Sequence, residues 1–149
     1  MTEILFYHLE RRPLEHVLPL LLEKTMERGW RAVVQAGSDE RVEALSTHLW
    51  SYRDEAFLAH GSSGDGNEEM QPVFLTCEDV NPNGAQIRFF VDGADGDDFN
   101  GYERAVFMFD GHDPEAVSQA RERWKAVKAA GLEATYWQQS ETGGWVKKA

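Results

Sequence analysis

Two short apolar runs, each followed at once by a segment of helical periodicity, govern what the first third of this chain can become. Glu3–Leu9 carries Ile4, Leu5, Phe6 and Tyr7 in unbroken succession and reads as a buried strand. From Pro13 to about Arg28, the residues Leu14, Val17, Leu18, Leu21, Leu22 and Thr25 recur at helical spacing. Pro19 falls inside that pattern, so it either kinks the helix or moves its start to that point. Gly29 ends it. Residues 31–35 read as a second strand, and Gly37, Ser38 and Asp39 turn into a second helix with Ser38 as its cap. Val42, Leu45, Leu49 and Trp50 line its apolar side, and Arg41 has Asp39 and Glu43 nearby as complements. Connections this short require parallel strands joined by right-handed crossovers.

The rest of the chain continues the sheet. Residues 51–72 are irregular, and 60–70 are a polar, glycine-rich surface loop. Strands are predicted at 72–76, 86–91 and 104–109. A turn spans 78–84 and an acidic loop 92–102. Residues 113–132 form a third helix, and 132–137 extend as an edge strand. The expected fold is a single three-layer, Rossmann-like α/β domain over residues 1–137. Its sheet is mainly parallel, with about five strands, and residues 138–149 form a tail extension. With 42% apolar residues and 11% aromatics, a chain of 149 residues has enough material for a core. The sequence has no apolar run of membrane-spanning length and no basic leader, so a soluble, cytoplasmic protein is expected. Its one cysteine, Cys77, excludes an internal disulfide framework, and its apolar neighbours predict a buried structural thiol.

An alternating α/β chain invites a nucleotide-binding reading, but the strand–helix junctions do not carry it. The first (YHLERRPL) has no glycine, and the second (QAGSDER) has only Gly37. The glycines of HGSSGDG are followed by acidic residues, which repel phosphate. Counted from Asp92, a calcium loop fails at Ala94, Gly96 and Asp97. His8, His16, His48, His60 and His112 show no paired metal spacing. No glycine-flanked nucleophile serine occurs.

The third helix is more informative. Asp113 caps it, Pro114 fits its first position, and Gly131 suits the left-handed residue that stops it. Val117, Ala120, Trp124 and Val127 form one apolar stripe, while Arg121, Lys125 and Lys128 share a second face. Residues 121–149 hold six basic and three acidic side chains in a chain whose net charge is −11. This end is therefore +3 and the remainder −14. Such a basic surface on an acidic protein attracts a short acidic peptide while the whole repels nucleic acid. A second cluster, Trp50, Tyr52, Phe57 and His60, follows the end of the second helix and suits a protein-contact surface.

Three stretches, FYHL, LWSYRDEAFLAHG and ARERWKAVKAAGL, together with the order of elements, resemble the chi subunit of bacterial DNA polymerase III holoenzyme. The resemblance implies a non-enzymatic adaptor on a Rossmann-like domain, with no cofactor and no metal. It implies binding to the acidic carboxy-terminal tail of single-stranded-DNA-binding protein. It also implies a link to the clamp loader through the psi subunit or another replication or repair protein, with DNA engaged only indirectly and no membrane. The residues matching the tail-binding motif are Arg121, Trp124, Lys125 and Lys128, with Gly131 and Leu132 beside them. Trp50 and Phe57 match the second partner surface. Trp124 stands where the family also has tyrosine. Lys128 replaces an arginine, so a forked contact becomes a point charge. Leu132 replaces a phenylalanine, which makes the apolar pocket shallower. The competing readings are a nucleotide-binding α/β enzyme and a direct single-stranded-DNA binder.

Overall fold

The computed structural model describes residues 2–10, 12–51, 60–62, 72–78, 80–94, 101–142 and 144–148. The described elements are, in order, β1 (Glu3–Leu9), α1 (Leu14–Glu27), β2 (Ala32–Gln35), α2 (Asp39–Ser51), β3 (His60–Ser62), β4 (Val73–Thr76), β5 (Ile87–Phe90), β6 (Arg104–Asp110), α3 (Pro114–Ala129), β7 (Glu133–Gln139) and β8 (Trp145–Lys147). They form an eight-stranded sheet in the order β3-β4-β2-β5-β6-β1-β7-β8. Every pairing is parallel except β7 with β8. This is the mainly parallel α/β fold read from the sequence. The five strands and the further edge strand predicted there are all present, and the sheet is longer at both ends. β3 lies within the stretch read as loop. β7 is no edge strand, because it sits between β1 and β8. Residues 138–149, set apart in the sequence as a tail, supply the end of β7 and all of β8.

Strand alternation divides the core between two faces. Leu5, Leu9, Val34, Phe89, Val106 and Met108 pack with Val17, Leu18 and Leu22 of α1 and Val42, Leu45 and Leu49 of α2. Ile4, Phe6, Phe90, Ala105, Phe107 and Ala134 turn the other way, towards Val127 of α3. On that face, beyond the helix, Arg88 is fully buried. Its guanidinium donates to Gln35 Oε1, to the Val80 and Glu78 carbonyls at 3.0 and 2.9 Å, and to the Tyr102 hydroxyl at 2.7 Å.

Pro19 lies inside α1 and does not move its start. A proline has no N–H for the carbonyl four residues earlier. That carbonyl belongs to Glu15, and His48 Nε2 of α2 donates to it at 2.6 Å. Arg41 also differs from expectation. It reaches past Asp39 and Glu43 to Asp92 (2.9 Å) and Glu15 (3.1 Å), tying α2 to α1 and to the end of β5. Ser38 Oγ accepts from the Arg41 N–H at 3.3 Å, as a cap should. Cys77 is half-buried rather than buried, because it lies one residue past β4 at the sheet rim. Its Sγ donates to Asp39 Oδ1 at 3.0 Å, and that bond raises the thiol pKa. Among the described residues, no helix is long and apolar enough to cross a membrane.

Candidate peptide-binding surface

Helix α3 starts and stops as its sequence requires. Asp113 Oδ1 accepts from the Glu115 and Ala116 N–H groups at 3.0 and 3.4 Å, with Pro114 at the first position. At the other end Gly131 takes φ +77°, which lets the Leu132 N–H reach back to the Val127 carbonyl at 3.2 Å. Ala120 and Val127 are buried against the sheet, while Val117 and Trp124 are half-buried. The helix thereby has two unlike flanks. On one, the Arg123 guanidinium lies 4.6 Å from the Phe107 ring of β6, and burial lowers its pKa.

The other flank faces β7. Trp124 meets Phe6 of β1 edge to face at 5.4 Å and Tyr136 of β7 at 5.9 Å. Lys128 Nζ lies 5.2 Å from the Trp124 ring centre. Arg121 and Lys125 are exposed on the same side. Lys125 Nζ is 3.6 Å from Glu122 Oε1, with both side chains 74% exposed. Arg121, Lys125, Gly111, His112, Val117 and Ser118 line a shallow depression. Arg121, Trp124, Lys125 and Lys128 therefore share one surface. Gly131 and Leu132 form the turn below it. Leu132 also lines the groove on the opposite flank, with Arg123, Ala126 and Phe107.

Two residues missed in the sequence complete this surface from beneath. Tyr136 Oη and His8 Nδ1 are 2.7 Å apart. The His8 side chain is 12% exposed. Its Nε2 is buried without an aligned hydrogen bond, although Glu10 Oε1 lies 3.2 Å away. Burial is the main cause that lowers the His8 pKa, and the Arg121 charge adds to it against the opposing pull of Glu10. Burial likewise raises the Tyr136 pKa, against the effect of Arg121. The close seat of His8 depends on Gly111, since a Cβ there would collide with the imidazole ring. Strand alternation was the available signal, because His8 and Tyr136 fall on the same sheet face as Phe6.

The second predicted surface is only partly in view. Trp50 sits in the last turn of α2, and Phe57 lies outside the described residues.

A family described as DNA polymerase III chi subunit, HolC, matches residues 1–135. A protein of Rickettsia prowazekii (strain Madrid E), named "Probable DNA polymerase III subunit chi", is 27% identical over 95 residues. That match covers 64% of this chain and 58% of the relative, so little more than half of the relative's length is matched. With 135 of its 149 residues inside the match, the chain belongs to the DNA polymerase III chi subunit family.

Proposed function

We propose that the protein is a non-catalytic replisome adaptor. Its α3 flank binds the acidic carboxy-terminal tail of single-stranded-DNA-binding protein. The observation that carries this reading is the meeting of Arg121, Lys125 and Lys128 with the half-buried Trp124 on one flank. Acidic side chains of a tail are drawn to the cations, and an apolar terminal residue is drawn to the ring wall of Trp124. A contact of this size is small, hence weak and salt-sensitive. Gly131 serves by ending the helix and Leu132 by backing the apolar base. Titration of the protein with an acidic peptide ending in phenylalanine tests the reading. Saturable binding that weakens in Arg121→Glu supports it, and absence of binding at low salt refutes it.

The segment carrying Trp50 and Phe57 is the second half of the adaptor. It contacts the psi subunit or another replication or repair protein and so links the tail to the clamp loader. Phe57→Ala should abolish partner capture in a pull-down yet leave peptide affinity intact. If Phe57 is core instead, the same change lowers stability by about 3–5 kcal/mol and damages both activities.

A further inference from the structure

The family match ends at residue 135, and the sheet does not. Beyond it, β7 runs on to Gln139 and β8 turns back against it. Directly opposed residues of an antiparallel pair share a face. Tyr136 packs on Trp124, so it lies on the α3 side, and Gln138 follows it there two residues later. Val146 stands opposite Gln138. The Lys148 N–H donates to the Tyr136 carbonyl at 2.8 Å, which continues that register and sets Lys148 opposite Tyr136. Val146, 43% exposed, is the most exposed large apolar side chain among the described residues. Lys148 is exposed as well. A bare valine and a lysine therefore adjoin the Trp124–Tyr136 contact, on the side away from β1.

We infer that the β7–β8 hairpin lengthens the acidic-peptide site. Residues upstream of a peptide terminus held at α3 cross β7 and β8, setting an apolar side chain on Val146 and a carboxylate near Lys148. This rests on the reading of the α3 flank as a peptide site. The distance is short: two strand spacings come to about 10 Å, which about three extended residues span. Charge favours a peptide over nucleic acid as the occupant, because the +3 carried by residues 121–149 faces −14 on the rest of the chain.

Two synthetic acidic peptides ending in phenylalanine test this on the full chain. The long one carries about four further residues at its amino end, among them an aspartate and a leucine. The long peptide should bind about three- to tenfold more tightly than the short one. Lys148→Gln and Val146→Ser should each reduce that advantage, costing the long peptide more than the short one and leaving melting unchanged. Lys125→Ala should weaken both peptides alike. Equal affinity for the two peptides overturns the inference, as does an undiminished advantage in both hairpin variants. If Lys125→Ala changes neither peptide while the hairpin variants still cost the long one, the α3 reading fails and the hairpin surface stands. A single-stranded oligonucleotide that binds through Lys148 in place of either peptide refutes the peptide occupant.

Discussion

Removing the Lys125 ammonium while leaving the fold alone separates attraction from packing on α3. The side chain is 74% exposed and pairs with Glu122 at 3.6 Å. Such an exposed pair contributes roughly 0.2–0.5 kcal/mol, and alanine's higher helix propensity offsets part of its loss. Lys125→Ala should therefore leave the melting curve nearly in place. Binding responds differently. A peptide carboxylate about 4 Å from the ammonium gains roughly 1 kcal/mol in water, equivalent to about fivefold in affinity. Breaking the Glu122 contact takes back a few tenths of that. Lys125→Ala should thus weaken an acidic peptide about three- to fivefold at low salt. Glu122→Gln should act in the opposite sense and tighten it about twofold, because it frees Lys125 and removes a repelling carboxylate. Fluorescence anisotropy at two ionic strengths reads both. The differences should shrink as the screening length falls from about 30 Å near 0.01 M to about 10 Å near 0.1 M. If the two variants bind alike, or if the Lys125 effect ignores salt, charge attraction at α3 is refuted.

Trp124→Ala should lower stability by about 2 kcal/mol, roughly half the cost of a fully buried tryptophan, and should also abolish peptide binding. Trp124→Tyr should retain most of both, as read by melting and titration. His48→Ala strips Glu15's carbonyl of its partner and should cost about 1 kcal/mol. In the Pro19→Ala background that cost should shrink, since residue 19 regains an N–H for the same carbonyl; chemical denaturation of the four proteins in the cycle measures the coupling. The neutral form of His8 is the one the fold favours, so the unfolded chain binds the proton more readily. Stability from this residue is complete above the ordinary histidine pKa of 6.5 and falls as pH drops below it, down to the lower folded value. Melting of wild type against His8→Asn across this range should show the smaller acid sensitivity in the variant; equal slopes would remove His8 from the account.

The parts of the fold legible in the sequence are those where one periodicity runs long enough to be read. The apolar stretch of Glu3–Leu9 and the stripe Val17, Leu18, Leu22 could only be a strand and a helix, and β1 and α1 follow. The cap and stop of α3 were legible because Asp113 and Gly131 each do one local job. Short strands escape this kind of reading. β3 and β8 have three residues each, too few for alternation to show, and they form because β4 and β7 offer open edges. Long-range partners escape it too. Nothing beside Arg41 in sequence announces Asp92, and nothing beside Arg88 announces Gln35 or Tyr102, since the sheet alone brings them together.

The candidate surface shows the same division, and it explains why the sequence pointed to α3 first. Helical spacing alone puts Arg121, Lys125 and Lys128 on one face, so the cations could be named before any fold was known. What turns them into a surface with an apolar wall is tertiary. Trp124 could have been wholly buried, leaving only a solvated charged face. It is held half-buried because Phe6 and Tyr136 meet it edge to face instead of enclosing it. Tyr136 is fixed in turn through His8, which sits where only a glycine at position 111 leaves room. The ring wall thus depends on β1, β6 and β7 being neighbours. A change at Gly111 should therefore disturb the aromatic base through His8 while leaving every cation of α3 in place. Gly111→Ala should weaken an acidic peptide without changing the salt dependence of what binding remains. A steeper or flatter salt response in that variant would mean that the cations had moved as well, and that the wall and the charges are one unit.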